Sequence, residues 1–433
     1  MVWWIIRRSQ RRRHPLPFVV EQRASLVNVK LKWVKDRTLD SVVARERHLR
    51  PALHLLERIS PDPRGCVPAY ELSRRRRQLG LADGLKVTAF LRRFPALFRE
   101  SSAPGPGRPV SCFTLTDDAL RLRRLELQVL CHAEIDLVDR LRRLLMLTPG
   151  RALPLHTVDQ LRWDIGLQPD YHRILVPRYP HFFDLVRPPG DERIWLKLAS
   201  WDGRLAVSEL QRAARERRED GECLAFPVRF TRGYGLKKKG MAWLQEWQTL
   251  PYTSPYSDAS GLDPRTDVSE KRIVGVFHEL LHLTLGKKTE RRNVSNLRKP
   301  LGLPQKFTKV FERHPGIFYL SQKLGTQTVV LREAYGGGRD LLIKHPLVEI
   351  RERYMAMMRA GMPARGRRAH QKEMEMVGPG TGDTHTMDAD RDDDSGGYAS
   401  VEESSGICDL DSDSFSEDDS DTSAAIVKKT LNV

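Results

Sequence analysis

No apolar run in the 433-residue chain is long enough to cross a bilayer, which takes about 20 consecutive apolar residues. The five cysteines, Cys66, Cys112, Cys131, Cys223 and Cys408, form no CxxC and no other close pair. Neither a zinc knuckle nor a disulfide framework is therefore expected, and a reducing compartment fits. No Walker loop, nucleotide-binding glycine motif or paired-carboxylate site stands out, so the chain does not read as an enzyme with a small-molecule substrate. The first 20 residues contain five arginines and no acid. An Arg-rich, acid-free leader resembles an organelle transit peptide, read here as residues 1–29. Its few serines favour mitochondria over chloroplasts, which remain the alternative.

What the chain does contain is positive charge. The formal net charge is +17, but the segment from Gly378 to Val433 holds 15 acidic and 3 basic residues, leaving a net +29 on residues 1–377. So basic a body calls for a polyanion partner. The Gly-, Ser- and Asp-rich tail, taken as 356–433, reads as disordered, either solubilising or competing for the basic surface. The length allows roughly two to four domains.

A short phrase occurs three times. Arg93-Phe94-Pro95-Ala96-Leu97-Phe98 returns as Arg178-Tyr179-Pro180-His181-Phe182-Phe183 and as Arg313-His314-Pro315-Gly316-Ile317-Phe318. A Gly-Leu pair stands upstream of each copy: Gly80-Leu81, Gly166-Leu167 and Gly302-Leu303. Between pair and proline, Val87, Phe90, Leu91 and Phe94 have the spacing of one helix face. His172, Leu175, Val176 and Tyr179 repeat it, as do Phe307, Val310, Phe311 and His314. The glycine suits a left-handed helix cap, and the proline disfavours helix in the residue before it. After each proline a strand, turn and strand are expected, clearest at Ile317–Ser321 and Thr326–Leu331. Longer helices are expected near 41–59, 117–147 and 269–285. Helix, helix, turn, helix and hairpin give an α+β, mostly helical fold of three winged-helix-like units in tandem, near 41–116, 117–200 and 268–335.

Residues 201–267 break the repeat. They hold Gly233-Tyr234-Gly235-Leu236-Lys237-Lys238-Lys239, then Trp243, Trp247 and Leu250-Pro251-Tyr252. Lysines beside rings suit a nucleic-acid groove, although two tryptophans four apart also suit a helix face that clips units two and three together. With these residues the chain resembles the plant organelle RNA recognition family. The similar segments are Lys30–Asp40, the three repeated phrases, Gly233–Lys239, Trp243–Tyr256, Lys271-Arg272 through Thr284, Leu331-Arg332-Glu333-Ala334-Tyr335 and His345-Pro346-Leu347, so the match covers roughly 30–355. The resemblance implies a plant organellar protein that binds intron-containing transcripts and promotes group II intron splicing, with other splicing factors as accessory partners. It brings no fixed RNA-contact motif.

RNA contacts are therefore expected on physical grounds at Lys86 and Arg93 of unit one, at Arg232, Lys237, Lys238 and Lys239 of the linker, and at Arg298, Lys299, Lys306, Lys309 and Arg313 of unit three. Unit two, poorer in basic residues, is expected to act as a spacer. The repeated Arg also has a structural reading, since a cation in the last helical turn favours the dipole. A DNA-binding protein of the organelle is the alternative. A remoter one is a zinc hydrolase, because His278-Glu279-Leu280-Leu281-His282 matches HExxH. Lys288 stands where a third histidine would follow, and Glu312 could serve only from a suitable second helix. The stripe Ile273, Phe277, Leu280 and Thr284 reads as core. No metal and no cofactor are expected.

Overall fold

A computed structural model of the protein describes residues 31–362, except 63–64, 77, 82–83, 105–108 and 218–222. The leader and most of the acidic tail lie outside the described residues.

Among the described residues, nine strands form three small antiparallel sheets of one topology. The first contains β1 (Val67–Pro68), β2 (Phe98–Ala103) and β3 (Val110–Leu115) in the order β1-β3-β2. β4 (Ala152–Pro154), β5 (Phe183–Val186) and β6 (Trp195–Leu198) are ordered β4-β6-β5. β7 (Lys288–Glu290), β8 (Phe318–Ser321) and β9 (Thr328–Leu331) are ordered β7-β9-β8. In each set a helix precedes the first strand: Leu49–Ile59, Glu134–Met146 and Asp267–Leu283. A second helix follows that strand directly, at Ala69–Arg74, Leu155–Ile165 and Arg291–Ser295. The three short leading strands are not legible in the sequence, since two or three residues carry no periodicity.

The repeated phrase is the joint between helix and hairpin. Phe94, Tyr179 and His314 have nearly the same backbone angles, φ near −120° and ψ near 60° (−121/64, −124/56 and −117/58). The amides of Leu97 and Phe98 both donate to the Phe94 carbonyl, those of Phe182 and Phe183 to Tyr179, and those of Ile317 and Phe318 to His314, all at 3.0–3.2 Å. The proline fixes the bend, and the final Phe of each copy opens β2, β5 or β8 and is buried. Gly80, Gly166 and Gly302 have φ of 68°, 87° and 63°, the left-handed turn expected for them. The expected apolar face holds in units one and three, where all eight residues are buried. It shifts in unit two. Pro177 ends the helix at Ile174 and forces a 3-10 turn at Val176–Arg178, so Tyr171 enters the core while His172, Leu175 and Tyr179 stay half-buried.

The described residues pack into two apolar cores. One holds units two and three together with the linker and Leu347 and Val348; the other holds unit one and the rest of the C-terminal helix Pro346–Ala360. That helix places Ile350, Tyr354, Met355 and Met358 against Leu49–Ile59 and the helix Asp117–His132. It runs beyond residue 355, so the tail expected from 356 begins too early. Two expected helices are broken. The stretch 41–59 divides into Arg37–Ala44 and Leu49–Ile59, and the first piece packs on the sheet of unit three. The stretch 117–147 divides at Ala133, and Ala119 and Leu122 of its first half join the core of unit one. In both cases the apolar face changes partner, and a straight helix could not serve both.

Arg332 fastens the ends of this arrangement. Its guanidinium donates to the Pro315 carbonyl at 2.6 Å, to Asp36 at 2.9 Å and to Thr231 at 3.1 Å. The repeated phrase, the start of the described chain and the linker thus meet at one buried cation.

Acid should loosen the fold through His54 on Leu49–Ile59. Its ring meets Trp163 edge-on with centroids 6.4 Å apart. Burial, aided by Arg50 and Arg162, pushes its pKa from 6.5 down to about 4. The unfolded chain therefore takes up a proton that the folded chain refuses. Stability is full above about pH 6.5 and falls towards pH 4, by about 2 kcal/mol at pH 5 from this group. Urea unfolding at pH 7 and pH 5 should show that loss, and His54→Gln should lose correspondingly less. Equal losses in both chains would exclude His54 as the cause.

Candidate nucleic-acid interface

The linker separates its apolar residues from its charges. Helix Lys238–Gln248 buries Trp243, Leu244 and Trp247, four residues or fewer apart on one face. Trp247 lies 5.9 Å from Phe226 and 4.2 Å from His314, ring to ring, and Trp243 lies 5.5 Å from His314. A buried tryptophan removes roughly 150–250 Å² from water, about 4–6 kcal/mol before entropy. The tryptophans are thus committed to the core, as the clip reading expects, and cannot stack on bases. Lys271, fully buried, donates to the carbonyls of Gln248 at 2.8 Å and Leu250 at 2.6 Å and so closes the end of this helix. Burial pushes its pKa down to about 8.

The opposite end of the helix is open. Lys237 occupies the N-cap and supplies no side-chain cap, so the first-turn amides have no such acceptor. Lys237, Lys238 and Lys239 are exposed and have no side-chain partner among the described residues. Three cations at the positive end of a helix dipole are locally unfavourable, by about 0.3–1 kcal/mol each. An anion there would meet both the ammonium groups and the free amides. Exposed Arg232 lies just upstream, where Phe230 and Tyr234 stack at 4.6 Å.

The other expected contacts divide into two kinds. Lys86, Lys299, Lys306 and Lys309 are exposed, and Arg298 is half-buried. Arg313 is spent on structure. It pairs with Glu270 at 2.8 Å and lies over Trp243 at 6.0 Å. Arg93 is half-buried with an interaction partner of its own, and Arg178 pairs with Glu134 at 2.8 Å. In units two and three the repeated Arg thus pairs with an acid on another helix, in place of the helix-end role expected for it. One exposed surface escaped the sequence reading: Tyr70 on Ala69–Arg74, half exposed, with the Arg74 guanidinium 5.7 Å from its ring and Arg75 beside it. The run Arg74-Arg75-Arg76-Arg77, beginning four residues after Tyr70, is its signal in the sequence.

The HExxH stretch lies on Asp267–Leu283 as expected, with Ile273, Phe277, Leu280 and Thr284 buried. Glu279 is wholly buried and accepts hydrogen bonds from Arg143, from Tyr256 Oη at 2.6 Å and from the Glu209 amide at 2.7 Å. Burial opposes its ionisation, but Arg143 and these bonds outweigh that and hold its pKa below the usual carboxylate range. Lys288 pairs with Glu46 at 2.8 Å, and Glu312 lies against Arg291 at 3.5 Å. Neither Lys288 nor Glu312 is therefore near the two histidines as a ligand, but another carboxylate is. Glu333, in the turn Glu333–Tyr335 after β9, places one carboxylate oxygen 2.7 Å from Nε2 of His278 and 2.7 Å from Nε2 of His282. Burial alone would raise the Glu333 pKa; the bonds from both imidazoles overcome it and hold the group well below the usual range.

The profile of the plant organelle RNA recognition domain matches residues 34–362. The chain belongs to that family. It is 36% identical over 346 residues to Protein WHAT'S THIS FACTOR 9, mitochondrial, of Arabidopsis thaliana, covering 78% of this chain and 87% of that one. It is 33% identical over 345 residues to Protein WHAT'S THIS FACTOR 1, chloroplastic, of Zea mays, covering 77% and 68%. Protein ROOT PRIMORDIUM DEFECTIVE 1 of Arabidopsis thaliana is 31% identical over 342 residues, covering 75% and 81%. No solved structure matches the chain. The mitochondrial expectation agrees with the first of these members of the plant organelle RNA recognition family, and its chloroplast alternative with the second. The matched span includes both cores and the whole helix Pro346–Ala360.

Proposed function

We propose that this protein is a mitochondrial RNA-binding factor that holds intron-containing transcripts and promotes group II intron splicing without catalysis of its own. Family membership supports RNA as the ligand. The observation that carries the interface is the open, lysine-bearing start of Lys238–Gln248, where an anion relieves a local electrostatic cost. The three sheet-bearing segments act as winged-helix-like units within an RNA-binding region near 30–355, behind a transit leader and ahead of the acidic tail. Lys86 in unit one and Lys299, Lys306 and Lys309 in unit three extend the basic track, with phosphates held by charge and exposed bases by rings. Tyr70 with Arg74 offers one such ring on unit one. Structural use of Trp243, Trp247 and Arg313 leaves the exposed lysines and Arg232 as the main phosphate contacts. Crosslinking in intact mitochondria, followed by sequencing, should enrich intron-containing organellar transcripts. Recovery of organellar DNA in place of RNA, or no enrichment over an uncrosslinked control, would overturn the proposal.

A further inference from the structure

We infer that His278, His282 and Glu333 form a three-ligand site for a divalent transition-metal cation, zinc by its donor chemistry, with a structural and not a hydrolytic role. The two histidines are four residues apart on one helix, so their rings lie side by side with centroids 4.6 Å apart. Both Nε2 atoms converge on Oε1 of Glu333 at 2.7 Å, and the ligand atoms lie within 4.8 Å of one another. Tetrahedral ligands at about 2.0–2.1 Å from zinc stand roughly 3.3 Å apart, so each of the two His–Glu pairs needs to open by only about 0.6 Å. Two imidazoles and a carboxylate suit zinc far better than calcium or magnesium, which prefer all-oxygen sites.

The surroundings hold these groups in place. Tyr335 Oη donates to the Gly286 carbonyl at 2.6 Å, and the Leu331 amide donates to the Lys287 carbonyl at 2.9 Å. These bonds fix the end of β9 and the turn bearing Glu333 against the end of the histidine helix. The Phe226 ring lies edge-on to His278 at 5.2 Å and covers the inner side. His278 is buried, while His282 and Glu333 remain 16% and 17% exposed. His282 and Glu333 thus leave the cluster an opening to solvent through which a cation would enter. Lys287 is the nearby opposing charge, and its ammonium points to the His282 carbonyl and not to Glu333.

Hydrolysis is a different matter. In HExxH chemistry the glutamate takes a proton from metal-bound water. Glu279 is sealed in the core by Arg143, Tyr256 and the Glu209 amide and is unavailable to such a water. What the cation would do is join the first helix of unit three to the turn after its hairpin. The cluster also ties the sequence of the third unit to a feature that units one and two lack, since neither has an HxxxH on the corresponding helix.

The test uses the full chain, purified without a histidine tag and stripped of metal. Titration with cobalt should give one equivalent per chain with the visible absorption of a four- or five-coordinate ion, and zinc should displace it and raise the melting temperature. Glu333→Gln, which keeps the shape of the side chain, should weaken cobalt binding by roughly tenfold or more, and His282→Ala should do the same. No visible bands and no zinc effect on the unmodified chain would overturn the inference, leaving a hydrogen-bonded His–Glu–His cluster. So would equal binding by the unmodified chain and Glu333→Gln. If His282→Ala does not fold, the unmodified chain and Glu333→Gln decide the matter alone.

Discussion

Glu279→Ala is expected to destabilise the protein by about 3–5 kcal/mol, a large share of the 5–15 kcal/mol that usually holds a domain together. Glu279 is wholly buried and meets three separate parts of the chain: Arg143 of the helix Glu134–Met146, Tyr256 of the linker and the amide of Glu209. Removing the carboxylate leaves a mostly buried guanidinium without its counter-charge, and the phenol and amide without their acceptor. Most of the loss is the burden of those orphaned groups, so it should shrink when the guanidinium goes too. The pair Glu279→Leu with Arg143→Met should therefore lie closer to the parent than Glu279→Ala alone. Urea unfolding of the parent, the single variants and the double variant measures this. A loss below about 1 kcal/mol for Glu279→Ala would mean that the network is not what joins units two and three.

The second large effect is on binding. Alanine at Lys237, Lys238 and Lys239 together should weaken RNA binding roughly 50-fold at ~0.15 M salt, from about 0.7 released counterions per phosphate contact on a single strand. The slope of log affinity against log salt should shrink by about 2. Stability should move the other way by about 1 kcal/mol or more, because three cations leave the positive end of a helix. That opposite pair of changes separates a lost contact from a damaged fold. Filter binding across a salt series, with thermal unfolding of the same samples, gives both. Unchanged affinity and slope would remove these lysines from the interface.

Sequence legibility is greatest where short-range physics dominates. The proline bend, the left-handed glycines and the helix face Val87, Phe90, Leu91 and Phe94 depend on neighbours within about ten residues, and all are found as expected. It is weaker where an element has two partners. The stretch 117–147 reads as one amphipathic helix, yet Ala119 and Leu122 serve the core of unit one while Leu130 and the residues beyond the break at Ala133 serve the other. Arg313 reads as basic and available, but its use is decided by Glu270, 43 positions away in sequence. Glu333 carries no local mark of a ligand, because 51 residues separate it from His282.

The sequence by itself determined the repeat, the helix–proline–hairpin joint and a basic body suited to a polyanion, because each follows from local backbone preferences or from a sum of charges. Tertiary structure alone decided which cations remain free for that polyanion. It buried Lys271, paired Arg313 and left Lys237–Lys239 in solvent, since burial and ion pairing depend on which distant residues a side chain meets. It also decided the fate of the HExxH motif, turning Glu279 into a core ion pair and bringing Glu333 to the two histidines.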